Sequence, residues 1–516
     1  MTSAAPETAP TRMALEESKH LKKTLGRFDI MFLVVAAVLS IDLLGQVAGF
    51  GGETFTWTLV LTVFFMFPYA LIFAETGGAF TEEGGVYTWV RTAYGRFSAA
   101  ITAMLTWVTQ PVWVGGTCAF IAVETWSAYV SPIDHGSFTD YGFKLVFIWI
   151  TVMSAIVSLK HGKWLPTLGA IVKIAFLAFF IIVTAIYGIQ NGFQGLTASY
   201  FAPSLTGFLA LVPLLLFSFL GFESGNSAAG EMKNPGRDVP ISVARSAGIA
   251  AAGYLLPILA ILLVVPVEDI SGIGGLFEAI STVFSIFGAG SGIMLTISAV
   301  IFVFILVSQG GAWMIISDRM QAMAAADGAF FGGYFGRIHP GLGTPVRVNT
   351  MSGVVASLFM LAAMWFVEGE AAALFQVVLT ICISTFLMSY LFAIPAAISL
   401  RKKFPGVHRP FKVPGGDTLW KALGVICFAW IALGTWVAVF PGTLEALLGV
   451  EYPFAEIWGV EQGTFSVFTL TTLGIIVVIG ILGYVFGRKL REPAPGDGPT
   501  STPLVASSAE EVPADA

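Results

Sequence analysis

Long apolar runs separated by short polar segments dominate the pattern along this chain. A helix of about 20 apolar residues is long enough to cross the roughly 30 Å hydrocarbon layer of a membrane. Twelve runs meet this description, with approximate limits 29–50, 57–80, 98–130, 142–159, 165–188, 207–232, 241–266, 292–325, 349–367, 372–400, 419–441 and 464–487. The pattern therefore predicts an all-α polytopic membrane protein with twelve transmembrane helices, which we number as the first to twelfth spans.

Polar groups interrupt two of these spans. Ser40-Ile41-Asp42 interrupts the first span, and Gly221–Gly225, which contains Glu223, interrupts the sixth. Lipid offers backbone N–H and C=O groups no partners, so a broken helix at membrane depth must line a cavity within the protein. The two interruptions lie five spans apart and thus at corresponding positions in two inverted halves of five spans. Paired breaks of this kind indicate the binding site of an inverted-repeat transporter.

Composition supports a membrane protein and argues against other classes. Hydrophobic residues make up 56% of the chain and charged residues 11%, whereas soluble domains have about 25% charged residues. The sequence shows neither a basic domain, which would indicate a nucleic-acid partner, nor a GxxxxGK[ST] motif, which would indicate a nucleotide-driven pump. Cys118, Cys382 and Cys427 lie in apolar runs without metal-site spacing. We therefore expect no cofactor, no metal and no enzymatic activity; a sensor would carry an appended soluble domain, which is not evident.

The distribution of charge predicts the orientation in the membrane. Of the 26 Lys and Arg residues, all but Lys144 and Lys173 lie in the two tails, in segments that follow even-numbered spans, or near the span ends that adjoin these segments. The segments that follow odd-numbered spans instead hold acidic residues: Asp134, Asp140, Glu268, Asp269, Glu368, Glu370, Glu451, Glu456 and Glu461. Because Lys and Arg concentrate in cytoplasmic loops, both termini are expected to be cytosolic. The polar N-terminal tail lacks the apolar core of a signal peptide.

Four stretches carry a resemblance to a known family. They are AETGGAFTEEGGVYTWVRTAYG after the second span, GFESGNSAAGEMKNPGRDVP in the sixth, AMAAADGAFFGGYFGRIHPGLGTPVR after the eighth and RKKFPGVHRPFKVP after the tenth. Together they resemble the amino acid–polyamine–organocation (APC) superfamily of permeases. The sixth-span stretch is most similar to bacterial acid-resistance exchangers, the glutamate/GABA and arginine/agmatine antiporters.

The resemblance implies a LeuT-type fold, in which a 5+5 inverted repeat is followed by two C-terminal helices. It also implies a secondary active transporter that moves an amino acid or related amine by alternating access, coupled to protons or to a counter-substrate. The resemblance further implies that the protein lies in a lipid bilayer, that of the bacterial inner membrane. The expected division is a cytosolic tail 1–27, a transporter domain 28–490 (first repeat 28–190, second repeat 206–400, last two helices within 418–487) and a disordered cytosolic tail 493–516.

The first span departs from the family pattern. Members of the family usually carry Gly-Ser-Gly at its break, where free backbone N–H groups receive a substrate carboxylate. Ser40, Ile41 and Asp42 occupy this place here, and an ionised Asp42 would repel a carboxylate. Three explanations remain open: Asp42 binds the amine of a substrate that lacks a carboxylate, it is neutral, or it pairs with a cation.

Lys173 is the candidate cation. It lies well inside the fifth span, where a lysine costs roughly 2.5–3.5 kcal/mol on insertion scales. The resemblance implies that it stands next to the first-span break, where sodium-coupled relatives bind an ion, and that it fixes the helices or couples proton movement to transport. The alternative is that its side chain reaches the inner interface.

The candidate substrate-binding residues lie at the two breaks and on helices that the resemblance places around them. They are Ser40, Ile41, Asp42, Gln110, Phe217, Leu220, Phe222, Glu223, Ser224 and Trp313. Glu223 is also a candidate for coupling, because a buried carboxylate can take up a proton. Each has a plainer alternative: a structural acid for Glu223, a satisfied core amide for Gln110 and ordinary aromatic packing for Phe217 and Trp313. A further set of charges forms either an inner gate or solvated loops: Glu75, Glu82, Glu83, Arg91, Glu231, Lys233, Arg237, Asp238, Asp318 and Arg319.

Overall fold

Helices account for almost all regular structure in this computed structural model, which describes residues 8–20, 26–161, 164–227, 232–266, 270, 274–366, 371–450, 452, 454–455 and 461–491. The α-helices are α1 Arg12–Ser18, α2 Arg27–Val38, α3 Leu44–Ala48, α4 Glu53–Leu61, α5 Phe67–Ala79, α6 Val86–Tyr94, α7 Arg96–Trp113, α8 Ala119–Tyr129, α9 Phe138–His161, α10 Trp164–Asn191, α11 Leu205–Phe219, α12 Ser224–Ser227, α13 Pro235–Val264, α14 Gly275–Phe284, α15 Ser291–Ala326, α16 Val346–Phe366, α17 Ala371–Lys403, α18 Gly416–Val439, α19 Thr443–Leu447 and α20 Gln462–Phe486. Within these described ranges no β-strand occurs.

Short 3₁₀ and π segments join several of these helices. The 3₁₀ turns are Ile41–Leu43, Ala198–Phe201, Ser285–Gly290 and Gly487–Leu490, and the π segments are Thr62–Met66 and Val114–Cys118. The second π segment follows Pro111, which lies inside α7. Because proline cannot donate an intrahelical hydrogen bond, the ladder is already perturbed at this point. The chain nevertheless continues as one helical rod from α7 through α8.

Among the residues that the structure describes, eleven candidate spans are long and apolar enough to cross a membrane. They cover every predicted span except the third, 98–130, which corresponds to α7 and α8 and is not among the eleven. The all-helical, multi-span prediction is confirmed at this level. The predicted tail 493–516 and Glu231 lie outside the described residues.

The N-terminal segment packs against the rest of the protein. Thr11 caps α1 by accepting a hydrogen bond from the backbone N–H of Ala14, and Ala14 itself is buried. Glu17 accepts a hydrogen bond from the backbone N–H of Ile338 at 2.9 Å. This segment, predicted only as a polar tail, therefore contributes to the surface at the end of α15.

Candidate functional site

The first span is broken in its middle. α2 ends at Val38, Leu39 and Ser40 are extended, and the 3₁₀ turn Ile41–Leu43 leads into α3. The end of a helix leaves its last carbonyl oxygens without intrahelical partners. Here the carbonyls of four consecutive residues, 36–39, all accept hydrogen bonds from side chains of other helices. The carbonyl groups at the end of α2 are therefore all bonded to other helices.

Lys173 of α10 supplies two of these bonds. Its Nζ donates to the carbonyl oxygens of Ala36 at 3.0 Å and Leu39 at 2.6 Å. A cation suits this position because the C-terminal end of a helix carries a partial negative charge. The side chain is 1% exposed, so it does not reach out to an interface. Lys173 thus lies beside the first break, as the resemblance implies, and its role in coupling remains a prediction.

One amide connects Lys173 with Asp42. Lys173 Nζ donates to Gln309 Oε1 at 2.6 Å, and Gln309 Nε2 donates to Asp42 Oδ1 at 2.9 Å. The other carboxylate oxygen of Asp42 accepts a bond from Trp113 Nε1 at 3.2 Å. Each carboxylate oxygen has two lone pairs, so both oxygens of Asp42 keep an acceptor position. Asp42 is therefore connected to Lys173 through the amide of Gln309, and its oxygens can still accept a hydrogen bond from an ammonium group.

Tyr254 of α13 joins the two breaks. Its hydroxyl accepts the backbone N–H of Ser40 at 2.9 Å. It lies 2.7 Å from the carbonyl oxygens of both Val38 and Ser218, to either of which it can donate. Because Ser218 is in the last turn of α11, one side chain binds backbone groups of both interrupted spans.

The sixth span is broken just after α11. The helix ends at Phe219, Leu220 is extended and Gly221 has a φ of +130°. The backbone N–H groups of Gly221 and Phe222 both donate to the hydroxyl of Tyr69, at 3.0 and 3.2 Å. Tyr69 of α5 therefore supplies partners that the broken helix lacks.

Gly221 also lets the two breaks approach each other. A Cβ atom at this position would lie 3.0 Å from the ring of Trp313 and 3.1 Å from Val38. Trp313 is fixed there because its indole N–H donates to the carbonyl oxygen of Ala37 at 3.0 Å. Both the positive φ and the lack of space require glycine here.

Glu223 lies in the second break. Its Oε2 accepts a hydrogen bond from the Tyr69 hydroxyl at 2.6 Å, and that hydroxyl lies 3.1 Å from the hydroxyl of Tyr390. The carboxyl group is 3% exposed. A buried carboxyl held by phenol groups can hold a proton or a cation.

The remaining candidate residues are all buried. Phe217 and Trp313 both pack edge-on against Phe386 of α17, with ring centroids 5.7 and 5.5 Å apart. The hydroxyl of Ser224 has no hydrogen-bond partner among the described residues, and Gln110, which carries an amide, is 3% exposed. The others, buried at the breaks, are Ser40, Ile41, Leu220 and Phe222. Polar groups without protein partners are suited to bind a substrate.

The sequence analysis did not identify three residues of this site: Gln309, Tyr254 and Tyr69. Gln309 had a usable signal, since it is an amide in the apolar eighth span and directly precedes Gly310-Gly311. The tyrosines had none, because a tyrosine in an apolar helix is ordinary packing in most proteins. Their importance follows only from contacts between distant helices.

Charges collect at the end of α15 that meets the N-terminal segment. The Asp327 carboxylate accepts bonds from Tyr87 at 2.6 Å, from Arg91 and Arg96 at 3.2 Å each, and from the backbone N–H of Thr11 at 2.7 Å. We call these five residues the Asp327 cluster. Burial, together with the charge of Asp327, raises the pKa of the Tyr87 hydroxyl well above its usual value, so it remains a donor.

The predicted gate charges have several different partners. Arg91 also pairs with Glu82 at 2.9 Å, Glu75 lies 3.3 Å from both Arg401 and Arg409, and Asp238 pairs with Arg27 at 3.0 Å. Asp318 lies inside the helix bundle and accepts bonds from Trp107, Asn349 and Ser352. Their part in gating stays a prediction.

Comparisons with known proteins agree with this architecture. The chain is 27% identical over 406 residues to the "probable agmatine/putrescine antiporter" of Lactococcus lactis, covering 78% of this chain and 84% of that protein. It is 24% identical over 465 residues to the branched-chain amino acid permease of Bacillus subtilis, covering 86% and 94%.

The fold is shared with solved transporters. The manganese transporter of Eremococcus coleocola superposes with a TM-score of 0.59 at 11% sequence identity, covering 91% of this chain and 98% of that one. The sequence profile described as amino acid permease matches residues 25–448. The chain is thus a transporter and not an enzyme, and it belongs to the amino acid permease family.

Proposed function

We propose that this transporter carries a cationic amine that lacks a carboxylate, and that Asp42 binds its ammonium group. The observation that carries the proposal is the position of Asp42, buried at the break where a carboxylate-binding backbone would otherwise lie. Its oxygens keep free acceptor positions after the bonds to Gln309 and Trp113 are counted. A substrate carboxylate at this point would meet a negative charge and be repelled.

The second break suits the same chemistry. Glu223 places another carboxyl group in the interrupted sixth span. Ser224 offers a buried hydroxyl without a partner among the described residues, and Gln110 is a buried amide. A molecule with two amino groups would meet one carboxylate at each break. The Lactococcus lactis relative, named for agmatine and putrescine, makes these two amines the first substrates to test.

Counterflow in proteoliposomes tests the substrate. Vesicles preloaded with unlabelled putrescine, agmatine, arginine, glutamate, GABA or leucine are each placed in the labelled form of the same compound, with and without a pH gradient. We expect putrescine and agmatine to accumulate above empty liposomes and glutamate and GABA not to do so. Asp42→Asn should abolish the accumulation, whereas Asp134→Asn, an exposed control, should not. Transport of glutamate or leucine without any transport of amines would contradict the proposal.

An amino acid substrate is the second candidate. The sixth-span sequence resembles amino acid exchangers, and the Bacillus subtilis relative is named for branched-chain amino acids. The same labelled panel separates the two, because an amino acid carrier would accumulate leucine, arginine or glutamate and ignore putrescine.

Lys173 is proposed to couple transport to protons. Asp42 and Lys173 are connected through the same amide, Gln309. A positive substrate bound at Asp42 would therefore disfavour the protonated, positively charged form of Lys173. Lys173→Ala should therefore remove the response to a pH gradient, while detergent-solubilised protein still elutes as a single species. A pH response equal to that of the unsubstituted protein would rule out this role.

The proposed topology has twelve spans, namely the eleven apolar candidates and the rod Arg96–Tyr129. The first ten would form two inverted repeats, within 28–190 and 206–400, and both termini would be cytosolic in a bacterial inner membrane. Single cysteines in a background without the native three test this arrangement. An impermeant thiol reagent applied to intact cells should label position 134 and not position 412, and the reverse would invert the topology.

A further inference from the structure

An apolar groove runs along the outside of the helix bundle between α5 and α13. Its volume is about 580 Å³, which is within the roughly 300–1,000 Å³ of small-molecule sites. The groove is lined by Phe67, Ala70, Leu71, Ala74, Gly236, Arg237, Pro240, Ile241, Ala244, Ala247, Pro410 and Phe411. It is separate from the two helix breaks.

Helical spacing explains the shape of the groove. The lining residues of α5 follow one stripe at intervals of three and four, and so do those of α13. Each stripe includes two alanines, Ala70 and Ala74 on α5 and Ala244 and Ala247 on α13, whose small side chains leave a depression. The two helices touch closely at one point, since a Cβ atom at Gly78 would lie 2.8 Å from Pro240. The groove therefore lies beside a tight contact between the two helices.

One end of the groove is closed by a fixed loop. Pro410 and Phe411 line this end, and the residues on either side of them are bound to Glu75. Arg409 Nε lies 3.3 Å from Glu75 Oε1, and the backbone N–H of Val413 donates to Glu75 Oε2 at 2.7 Å. The buried carboxylate of Glu75 therefore holds the end of the groove in place.

Arg237 is the positively charged residue in the lining of the groove. It is exposed, and no described residue bonds to its side chain. The neighbouring Asp238 cannot neutralise it fully, because that carboxylate already pairs with Arg27 at 3.0 Å. Arg237 is the third residue of α13, so the positive end of the helix dipole adds to its field.

We propose that this groove binds an acidic phospholipid, with one acyl chain between α5 and α13 and the phosphate at Arg237. Arg237 and Ala247 are ten residues apart on one helix, or about 15 Å, and half of a 30 Å hydrocarbon layer has the same depth. The groove therefore spans one leaflet, with apolar walls throughout and its cation at the headgroup end. In the proposed orientation this is the cytosolic leaflet.

The position of the groove connects the lipid with transport. Tyr69, which binds the second break, is adjacent to Ala70 on α5, and Tyr254, which joins both breaks, is seven residues beyond Ala247 on α13. An acyl chain would lie on the outer side of the two helices that hold the breaks. Occupancy should therefore change the transport rate as well as lipid retention.

Native mass spectrometry of the full chain, delipidated and then titrated with phosphatidylglycerol or phosphatidylethanolamine, tests the binding. We expect phosphatidylglycerol to be retained, and Arg237→Gln to weaken its retention about fivefold, the factor that corresponds to about 1 kcal/mol for one arginine near anionic lipid. Ala244→Phe should fill the groove and reduce binding of either lipid. Lys421→Gln and Ala252→Phe, exposed positions outside the groove, are the matched controls and should bind like the unsubstituted chain.

Three outcomes would overturn the proposal. They are equal retention of the two lipids by the unsubstituted chain, no effect of Arg237→Gln, and a dimer that Ala244→Phe dissociates, since a dimer would make a second copy the occupant. Counterflow in vesicles with and without phosphatidylglycerol provides a second readout. The unsubstituted chain should respond to the acidic lipid and Arg237→Gln should not, whereas a response retained by Arg237→Gln would also count against the site.

Discussion

Replacement of Gln309 by leucine tests the connection between Lys173 and Asp42. The change removes two hydrogen bonds to charged groups, at 2.6 and 2.9 Å. Bonds to charged groups contribute about 1.5–3 kcal/mol, and interhelical bonds in membrane proteins reach about 1.7 kcal/mol. A value of about 1.5 kcal/mol for each bond satisfies both ranges. The bond to Asp42 orients the carboxylate for substrate, so its loss should weaken apparent affinity about tenfold.

The assay is counterflow of labelled putrescine over a range of concentrations and pH values. We expect the KM of Gln309→Leu to rise about tenfold. Its pH profile should flatten, because Lys173 is no longer connected by hydrogen bonds to the group that binds the substrate, Asp42. Gln321→Leu is the matched control, a buried amide further along the same helix whose Oε1 has no partner, and it should retain both properties. A Gln309→Leu variant with unchanged KM and unchanged pH profile would refute the reasoning.

Three further substitutions probe the breaks and the packing around them. Tyr254→Phe leaves the buried N–H of Ser40 without a partner, at a cost of about 1–3 kcal/mol; the melting temperature in detergent should fall, and an unchanged value would mean that water replaces the hydroxyl. Gly221→Ala adds a Cβ atom 3.0 Å from Trp313 at a φ of +130°, a strain of about 1–3 kcal/mol that should abolish transport before it abolishes folding, as judged by counterflow and size-exclusion profile together. Asp318→Asn places an amide NH₂ group, which is a donor, beside the three donors that now bind the carboxylate. It should lower the melting temperature more than Asp134→Asn does, and equal values would show that the three bonds to Asp318 contribute little to stability.

The sequence predicts the helices well and their contacts poorly. The length of an apolar run is a local property of the sequence, so most span limits follow from it. The rod 96–129 is less apolar than the other spans, and it is nevertheless continuous. The breaks were visible because Asp42 and Glu223 are costly in lipid. Their partners were not, because Gln309 is 267 positions from Asp42 and Tyr69 is 154 positions from Glu223. Helical periodicity says which face of a helix is apolar, but it does not say which helix the polar residues meet.

The Asp327 cluster has a consequence for how its mutations combine. Four donors from three parts of the chain share a single carboxylate, and residues that share a partner do not contribute independently. Loss of Asp327 would remove one bond from the N-terminal segment, two from α6 and one from the start of α7 at once, whereas loss of Arg91 leaves three donors in place. A double substitution of Asp327 and one of its donors should therefore cost less than the sum of the two single ones, and this end of the protein should come apart as one cooperative unit.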